Sequence, residues 1–428
     1  GEPRPGRPAS PVREMIRNRF LRRTVTLAAG GAGAQAIALA VVPMLTRLYD
    51  PAAFGLFGVF STLLATLAPV AALGYPQAIA LPASDAVARS LIRVAVVAAL
   101  VVATLLTALI AVAGQPLAAR LGIAALGDLL YLLPLFTLAS AFVSIGAYAA
   151  LRRQRYRLRA TLAFAGSAAA NLGKVVLGFV APLPASLVVM HGTGPMLQAA
   201  GYWLTLRREP GEDRTAPLGS TAAGFRDFPL FRTPEAFLNL LSQALPLIVL
   251  SASYSAEAAG YYALARVALG TPVGVLAGAA GETFLYDTSE RIHQAERLTA
   301  RLVRISGRLL LAGLAPCLLL VFAGPALFSW LFGADWREAG SYSAWLSPWY
   351  LTVLATAPAG QFLAAIRRQR LALALTTIKL VVRGGALAAC LYLDTSALAL
   401  VASFALASVF ANIVFFLATY SAGRSHDA

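Results

Sequence analysis

Four cationic residues, Lys174, Arg266, Lys379 and Arg383, lie inside apolar runs of membrane-spanning length, and no carboxylate is placed to neutralise them. A charge at the centre of a membrane helix costs about 2.5–3.5 kcal/mol even on insertion scales, so it usually serves a function and faces a cavity or a partner. A partner that the chain itself does not supply would be an anionic ligand. Lys174 and Lys379 are the only lysines in the sequence.

The neighbours of these cations fall at helical spacing. Ser167, Asn171, Lys174 and Gly178 follow i, i+4, i+7, i+11 and share one face. Thr376, Lys379 and Arg383 follow i, i+3, i+7, and Tyr262, Arg266 and Gly270 are four apart. Glu235, Asn239, Gln243 and Pro246 form a further polar face, and Gln35 is alone in the middle of its run. At about 1.5 Å per residue, Arg266, Lys174 and Arg383 lie deep, while Lys379 is shallower and could reach back toward the surface. The candidate ligand-binding set is Lys174, Arg266, Arg383, Lys379, Asn171, Asn239, Gln243, Gln35, Tyr262 and Arg47. Bonding of each cation to freed carbonyls or polar neighbours is the structural alternative. Glu235 and His191 are the candidates for ion coupling. An ion pair with Arg232 and a satisfied interfacial histidine are their alternatives.

The elements that position these residues follow from composition. Of the 428 residues, 59% are hydrophobic and 13% charged, with a mean hydropathy of +0.72. Soluble domains average roughly 45–50% apolar and about 25% charged, so the chain reads as an all-α integral membrane protein. Twelve stretches can each cross about 30 Å of hydrocarbon as a helix. They are 24–48, 54–80, 93–113, 129–150, 160–181, 184–206, 230–251, 257–280, 304–331, 341–365, 371–393 and 396–420. The net charge of +16 does not point to nucleic acid. With the N-terminus inside, 28 of the 33 arginines fall in the tails or in the even-to-odd connections. That is the positive-inside pattern, and it predicts both termini in the cytoplasm.

The expected organisation is a basic disordered tail (1–20), a six-helix half (21–206), a linker (207–228), a second six-helix half (229–420) and a short tail (421–428). A degenerate repeat supports it. Tyr49-Asp50-Pro51 through Phe54-Gly55-Leu56-Phe57 resembles Tyr254 through Gly260-Tyr261-Tyr262 at an offset of 205. Arg89 and Arg93 match Arg304 and Arg308, and Arg152-Arg153-Gln154-Arg155 matches Arg367-Arg368-Gln369-Arg370, both at an offset of 215. A ten-residue insertion around 286–300 accounts for the difference. Two halves of like orientation predict a parallel repeat about a central cavity. The deep cations are not duplicated: Arg266 corresponds to Ser61, Lys174 to Ala389, Lys379 to Phe164 and Arg383 to Ala168. Symmetric features look architectural, so these asymmetric ones are the better functional candidates. Pro43 and Pro246 occupy similar places in the first helix of each half and are candidate gating kinks, with static kinks as the alternative.

Other chemistry is excluded. No paired outer carboxylates suit glycosyl transfer, no GxxxxGK[ST] loop is present, and no Cys/His cluster suggests a metal or cofactor. Cys317 and Cys390 read as small core residues.

Leu45-Thr46-Arg47-Leu48-Tyr49, Pro51 and Phe54-Gly55-Leu56-Phe57 resemble the start of a polysaccharide-biosynthesis flippase (Wzx-like) of the multidrug/oligosaccharidyl-lipid/polysaccharide exporter superfamily. Phe228-Pro229, Pro234, Leu238-Asn239, Ser242, Leu245-Pro246, Gly260 through Arg266 and Pro272 are similar to the start of its second half. The resemblance implies a twelve-helix, two-lobed, alternating-access exporter in a bacterial cytoplasmic membrane. Its substrate would be an undecaprenyl-diphosphate-linked oligosaccharide, and polysaccharide polymerase machinery a further partner. The diphosphate would be the anion that the deep cations lack. A drug or cation antiporter of the same superfamily is the alternative, and it should carry a cavity carboxylate. A membrane-embedded glycosyltransferase is a third reading, which the short outer loops disfavour.

Overall fold

The computed structural model describes residues 31–206, 216–291, 298–365 and 368–427. The expected tail 1–20, the stretch 207–215 of the expected linker and Arg367 of the repeated loop motif lie outside the described residues. Within them the fold is all-α, and twelve helices of eighteen residues or more follow one another. They are α1 (Gly31–Leu48), α2 (Pro51–Ala71), α3 (Asp85–Arg120), α4 (Leu132–Arg152), α5 (Tyr156–Val180) and α6 (Pro184–Leu206). The second half contains α7 (Thr233–Ser253), α8 (Ala256–Arg291), α9 (Leu298–Phe332), α10 (Arg337–Ala365), α11 (Gln369–Tyr392) and α12 (Ala397–Asp427).

Ten of the twelve are long and apolar enough to cross a membrane. The other two, α6 and α10, carry polar and small residues through their middles, such as His191 and Gln198 in α6 and Ser343 and Ser347 in α10. Large apolar side chains cover the outside: Val112 is 85% exposed, Phe322 82% and Trp330 77%. Such a surface suits lipid, and the chain is a multi-pass membrane protein.

One expected span is shorter than its hydropathy suggests. The apolar stretch 54–80 does not continue as one helix, because α2 stops at Ala71. Leu73 and Gly74 adopt positive φ (49° and 71°), which no α-helix accommodates, and the chain restarts as a short helix, Tyr75–Ala78. In contrast, α3 runs 36 residues, about 54 Å, well past the thickness of the hydrocarbon.

Some positions 205 residues apart make similar local contacts. The Asp50 carboxylate accepts from the Ala53 N–H at 2.7 Å and caps α2, while the Ser255 hydroxyl accepts from the Ala258 N–H at 3.0 Å and caps α8. The Tyr49 hydroxyl donates to the Lys174 carbonyl on α5 at 2.8 Å, and the Tyr254 hydroxyl donates to the Thr395 carbonyl just beyond α11 at 2.9 Å. The caps start α2 and α8 so that they cross at their matched glycines. A Cβ on Gly55 would run into the Ala256 carbonyl, and one on Gly260 into the Pro51 carbonyl. Only glycine permits that approach, the small-residue packing that membrane helices use in place of a hydrophobic drive. Contacts between the first six helices and the last six concentrate on α2 against α7 and α8.

The junction is sealed at the end where α1 passes into α2. The Trp336 indole donates to the Thr46 carbonyl at 2.8 Å, and its ring stands edge-on to Phe54 (5.3 Å) and Tyr261 (6.2 Å). At the opposite end Arg152 fastens the α2–α3 connection. Its guanidinium donates to Asp85 at 2.7 and 3.1 Å and to the Pro82 carbonyl. The exposed ion pair is worth little by itself, and the carbonyl contact is what holds the turn.

Candidate functional site

Two neighbouring pockets open beside α1, α2 and α8. The first, about 720 Å³, is bounded by α1, α2, α7, α8 and α10 and contains Arg266, Gln243, Gln35, Thr62 and Tyr350. The second, about 540 Å³, is bounded by α1, α2, α5, α6 and α8 and contains Lys174, Asn171, His191 and Gln198. They share Gln35, Phe57, Ser61 and Thr271 among their walls, so they are neighbouring parts of one cavity. Among the described residues, no Asp or Glu lines either part.

Helix α8 carries Arg266 to this cavity on a stripe of small residues, Ala263, Val267, Gly270 and Gly274, that lines the opening at helical spacing, while Tyr262 and Leu269 beside the stripe are buried in the core. Its guanidinium donates to the Thr62 hydroxyl across the α2–α8 crossing at 3.3 Å, and the Tyr350 hydroxyl donates to its carbonyl at 3.5 Å. These contacts aim the side chain without neutralising it. Lys174 rises from α5 in the ladder that the spacing predicted. The Asn171 amide donates to the Ser167 carbonyl (2.9 Å), and the Lys174 ammonium donates to the Asn171 side-chain oxygen (3.4 Å). The ammonium also lies 4.8 Å from the centre of the Phe57 ring, whose edge meets His191 at 5.3 Å. Lys174 is 5% exposed, and among the described residues a neutral oxygen and an aromatic face compensate its charge.

The other candidates separate from this cavity. Arg383 is 3% exposed and does not line it. Its guanidinium donates to Ser408 on α12 (2.9 Å) and Ser242 on α7 (3.0 Å) and lies over Trp349 and Phe404 at 5.4 and 5.6 Å. The alternative reading, bonding to polar neighbours, describes it. Tyr262 is wholly buried and faces the core, because its ring fills the packing behind Arg266. Arg47 is exposed at the end of α1, away from the pockets. Lys379 and Asn239 share a different recess of about 380 Å³ with Glu235, Arg232 and Thr376, and the Lys379 ammonium sits 3.9 Å from the Phe415 ring centre. Glu235 forms the local ion pair with Arg232, at 3.5 Å. Pro43 and Pro246 are interior to α1 and α7. Cys317 and Cys390 are buried free thiols, as small core residues would be.

The sequence profile of the polysaccharide biosynthesis protein family matches residues 44–341. The chain belongs to that family. Its fold is similar to solved transporter structures that share little of its sequence. An inward closed conformation of the lipid II flippase MurJ superposes with a TM-score of 0.74 at 10% identity, over 92% of this chain and 87% of that one. An inward-facing multidrug resistance MATE family transporter of the MOP superfamily gives 0.70 at 15% identity, over 92% and 96%. A MOP superfamily transporter from Pyrococcus furiosus, described as having a binding pocket of reverse polarity, gives 0.64 at 14% identity over 95% of both. No curated protein matches the sequence.

In this polysaccharide biosynthesis family member several cavity residues carry no signal of their own in the sequence: Thr62, Tyr350 and Thr271. The repeat offset could have found one of them. Residue 61 corresponds to Arg266, and at a crossing of matched helices each position lies near its counterpart. Thr62, next to Ser61, is where the guanidinium arrives.

Proposed function

We propose that this protein is a flippase for a polyprenyl-diphosphate-linked oligosaccharide, moving it from the cytoplasmic to the outer leaflet of a bacterial cytoplasmic membrane. The observation that carries the reading is a cavity beside α1, α2 and α8 with Arg266 and Lys174 on its walls and no carboxylate among its described lining residues. A diphosphate supplies the missing charge, and a forked guanidinium can hold phosphate oxygens in pairs. Gln35, Gln243 and Asn171 can exchange hydrogen bonds with sugar hydroxyls beside it. Membership of a polysaccharide biosynthesis family supports the glycan, and the likeness to a lipid II flippase supports a lipid-linked one.

In this reading the halves, 21–206 and 229–420 with a linker at 207–228, act as two lobes that open alternately while the lipid tail stays in the bilayer. Pro43 and Pro246 let the first helix of each lobe bend as they do so. Both termini lie in the cytoplasm, where the arginines concentrate, and the delivered glycan passes to polymerising machinery outside. A drug or cation antiporter would want a carboxylate where the cavity has cations. Glu235, paired with Arg232, and His191, edge-on to Phe57, are the groups to test for coupling. Transport that ignores pH, sodium and membrane potential removes that role.

The test is complementation of a strain lacking its own flippase. Lys174→Ala with Arg266→Ala should reach the membrane at normal level yet leave lipid-linked glycan on the cytoplasmic side. Full complementation by that double variant overturns the proposal.

A further inference from the structure

Arg383 is enclosed where five helices of the second half converge, and among the described residues no carboxylate pairs with it. A guanidinium carries five N–H donors and no acceptor. Two of those of Arg383 reach Ser408 on α12 and Ser242 on α7, and the other three meet no described hydrogen-bond acceptor. Each serine hydroxyl accepts from the arginine and keeps its own proton to give, and neither donates to a described acceptor. The Trp349 and Phe404 rings offset part of the charge. The Lys379 ammonium, one turn earlier on α11, adds a second positive charge. Like charges at that spacing oppose each other.

Two further donors belong to the same core cluster. The indole N–H of Trp349 on α10 and the hydroxyl of Tyr262 on α8 are buried without a partner among the described residues. The Trp349 ring centre is 5.4 Å from the guanidinium carbon, and the Tyr262 hydroxyl is close enough to act on its charge. Every polar side chain gathered here therefore has a proton to give, and leaving such groups unmatched in the interior costs stability. Water would satisfy some of them, but it brings two protons of its own to a cluster already rich in donors. A monovalent anion brings acceptor capacity alone, together with the charge that Arg383 lacks. Trp349, Phe404 and Tyr262 are each at most 2% exposed, an enclosure that favours an ion of atomic size over a substituted oxyanion.

From this surplus of buried donors we infer that the second half binds a single chloride ion beside the Arg383 guanidinium. The Trp349 indole, the Tyr262 hydroxyl and the hydroxyls of Ser242 and Ser408 are its further donors. The site uses neither Arg266 nor Lys174, and it does not rest on the transport reading.

Thermal unfolding of the purified full-length chain in lipid nanodiscs tests it, with sodium chloride, bromide or gluconate at constant ionic strength. Chloride and bromide should raise the unfolding temperature along a saturating curve, and gluconate should not. Trp349→Phe and Tyr262→Phe keep an aromatic ring in place and remove the donor. Each should weaken the apparent chloride affinity by about tenfold or more, the worth of one hydrogen bond to a charged group. Arg266→Gln with Lys174→Gln should leave the chloride dependence as it is. Crystals grown in bromide should show an anomalous peak beside Arg383. Equal responses to halide and gluconate overturn the inference without any variant. So does a halide response that survives the combined Trp349→Phe and Tyr262→Phe change, or the lack of a bromide peak at Arg383. A response lost only with Arg266 and Lys174 also overturns it and assigns the halide to the central cavity.

Discussion

Replacing Arg266 separates a ligand-binding cation from a structural one. Its guanidinium donates to the neutral Thr62 hydroxyl at 3.3 Å and is partly exposed to the cavity. Removing it therefore leaves no buried carboxylate unpaired and exposes no large apolar face. A bound diphosphate changes the balance, because hydrogen bonds to a charged group contribute about 1.5–3 kcal/mol each. Loss of one such forked contact in Arg266→Gln should weaken binding of a polyprenyl diphosphate by about 10–150-fold. Arg266→Lys keeps the charge, loses the fork and should fall between. The assay is ligand titration of protein in lipid nanodiscs, alongside thermal unfolding of the same samples without ligand. Binding of Arg266→Gln within twofold of the parent, with unfolding unchanged, would refute the diphosphate reading. Unfolding shifted as far as binding would make Arg266 a structural residue instead.

Arg383 should respond in the opposite way. Arg383→Leu removes hydrogen bonds to Ser242 and Ser408 and contacts with two aromatic faces, so unfolding should come earlier by roughly 2–4 kcal/mol with ligand affinity retained by the folded fraction. Gly55→Val should abolish accumulation of folded protein in the membrane, because its side chain would enter the Ala256 carbonyl. Gly384→Ala, with open space around its Cβ, should accumulate normally in the same immunoblot. Trp336→Ala removes the hydrogen bond to Thr46 and the edge contacts to Phe54 and Tyr261, which should loosen the seal at the α1–α2 end. A cysteine placed at Ser61 should then react faster with an impermeant maleimide added on the side that the α1–α2 end faces, and an unchanged rate would reject the seal.

Much of the frame was legible because its signals are local and repeated. Periodic apolar stretches mark the helices, while the Asp50 and Ser255 caps that start α2 and α8 emerge only in the structure. The Ser167–Asn171–Lys174 ladder follows from helical spacing, and it is present as drawn. Spacing fails where rotation about the helix axis decides the outcome. Arg383 and Lys379 share a helix and a polar face, yet one is enclosed by serines and aromatics and the other lines a separate recess. No single-helix pattern tells a polar residue that faces a cavity from one that meets a serine on its neighbour. The break at Leu73–Gly74 was hidden for a related reason: hydropathy does not record φ.

The distribution of the two cavity cations gives the proposed cycle a physical basis. Arg266 belongs to α8 in the second half and Lys174 to α5 in the first, while the matched glycines of α2 and α8 keep the halves in contact between them. In the proposed cycle the two like charges repel as the halves approach, and a dianion between them reverses the sign of that term. A ligand shifts a conformational equilibrium only by its differential affinity for the two states. A diphosphate bridging both walls has that difference built in, because it gains its second cation only when the halves approach. Single variants should therefore not act independently. Once Lys174→Gln has removed one side of the bridge, adding Arg266→Gln should weaken binding by less than it does in the parent protein. Strict additivity of the two effects in a double-mutant cycle would place the cations at separate ligand sites and dissolve the bridge.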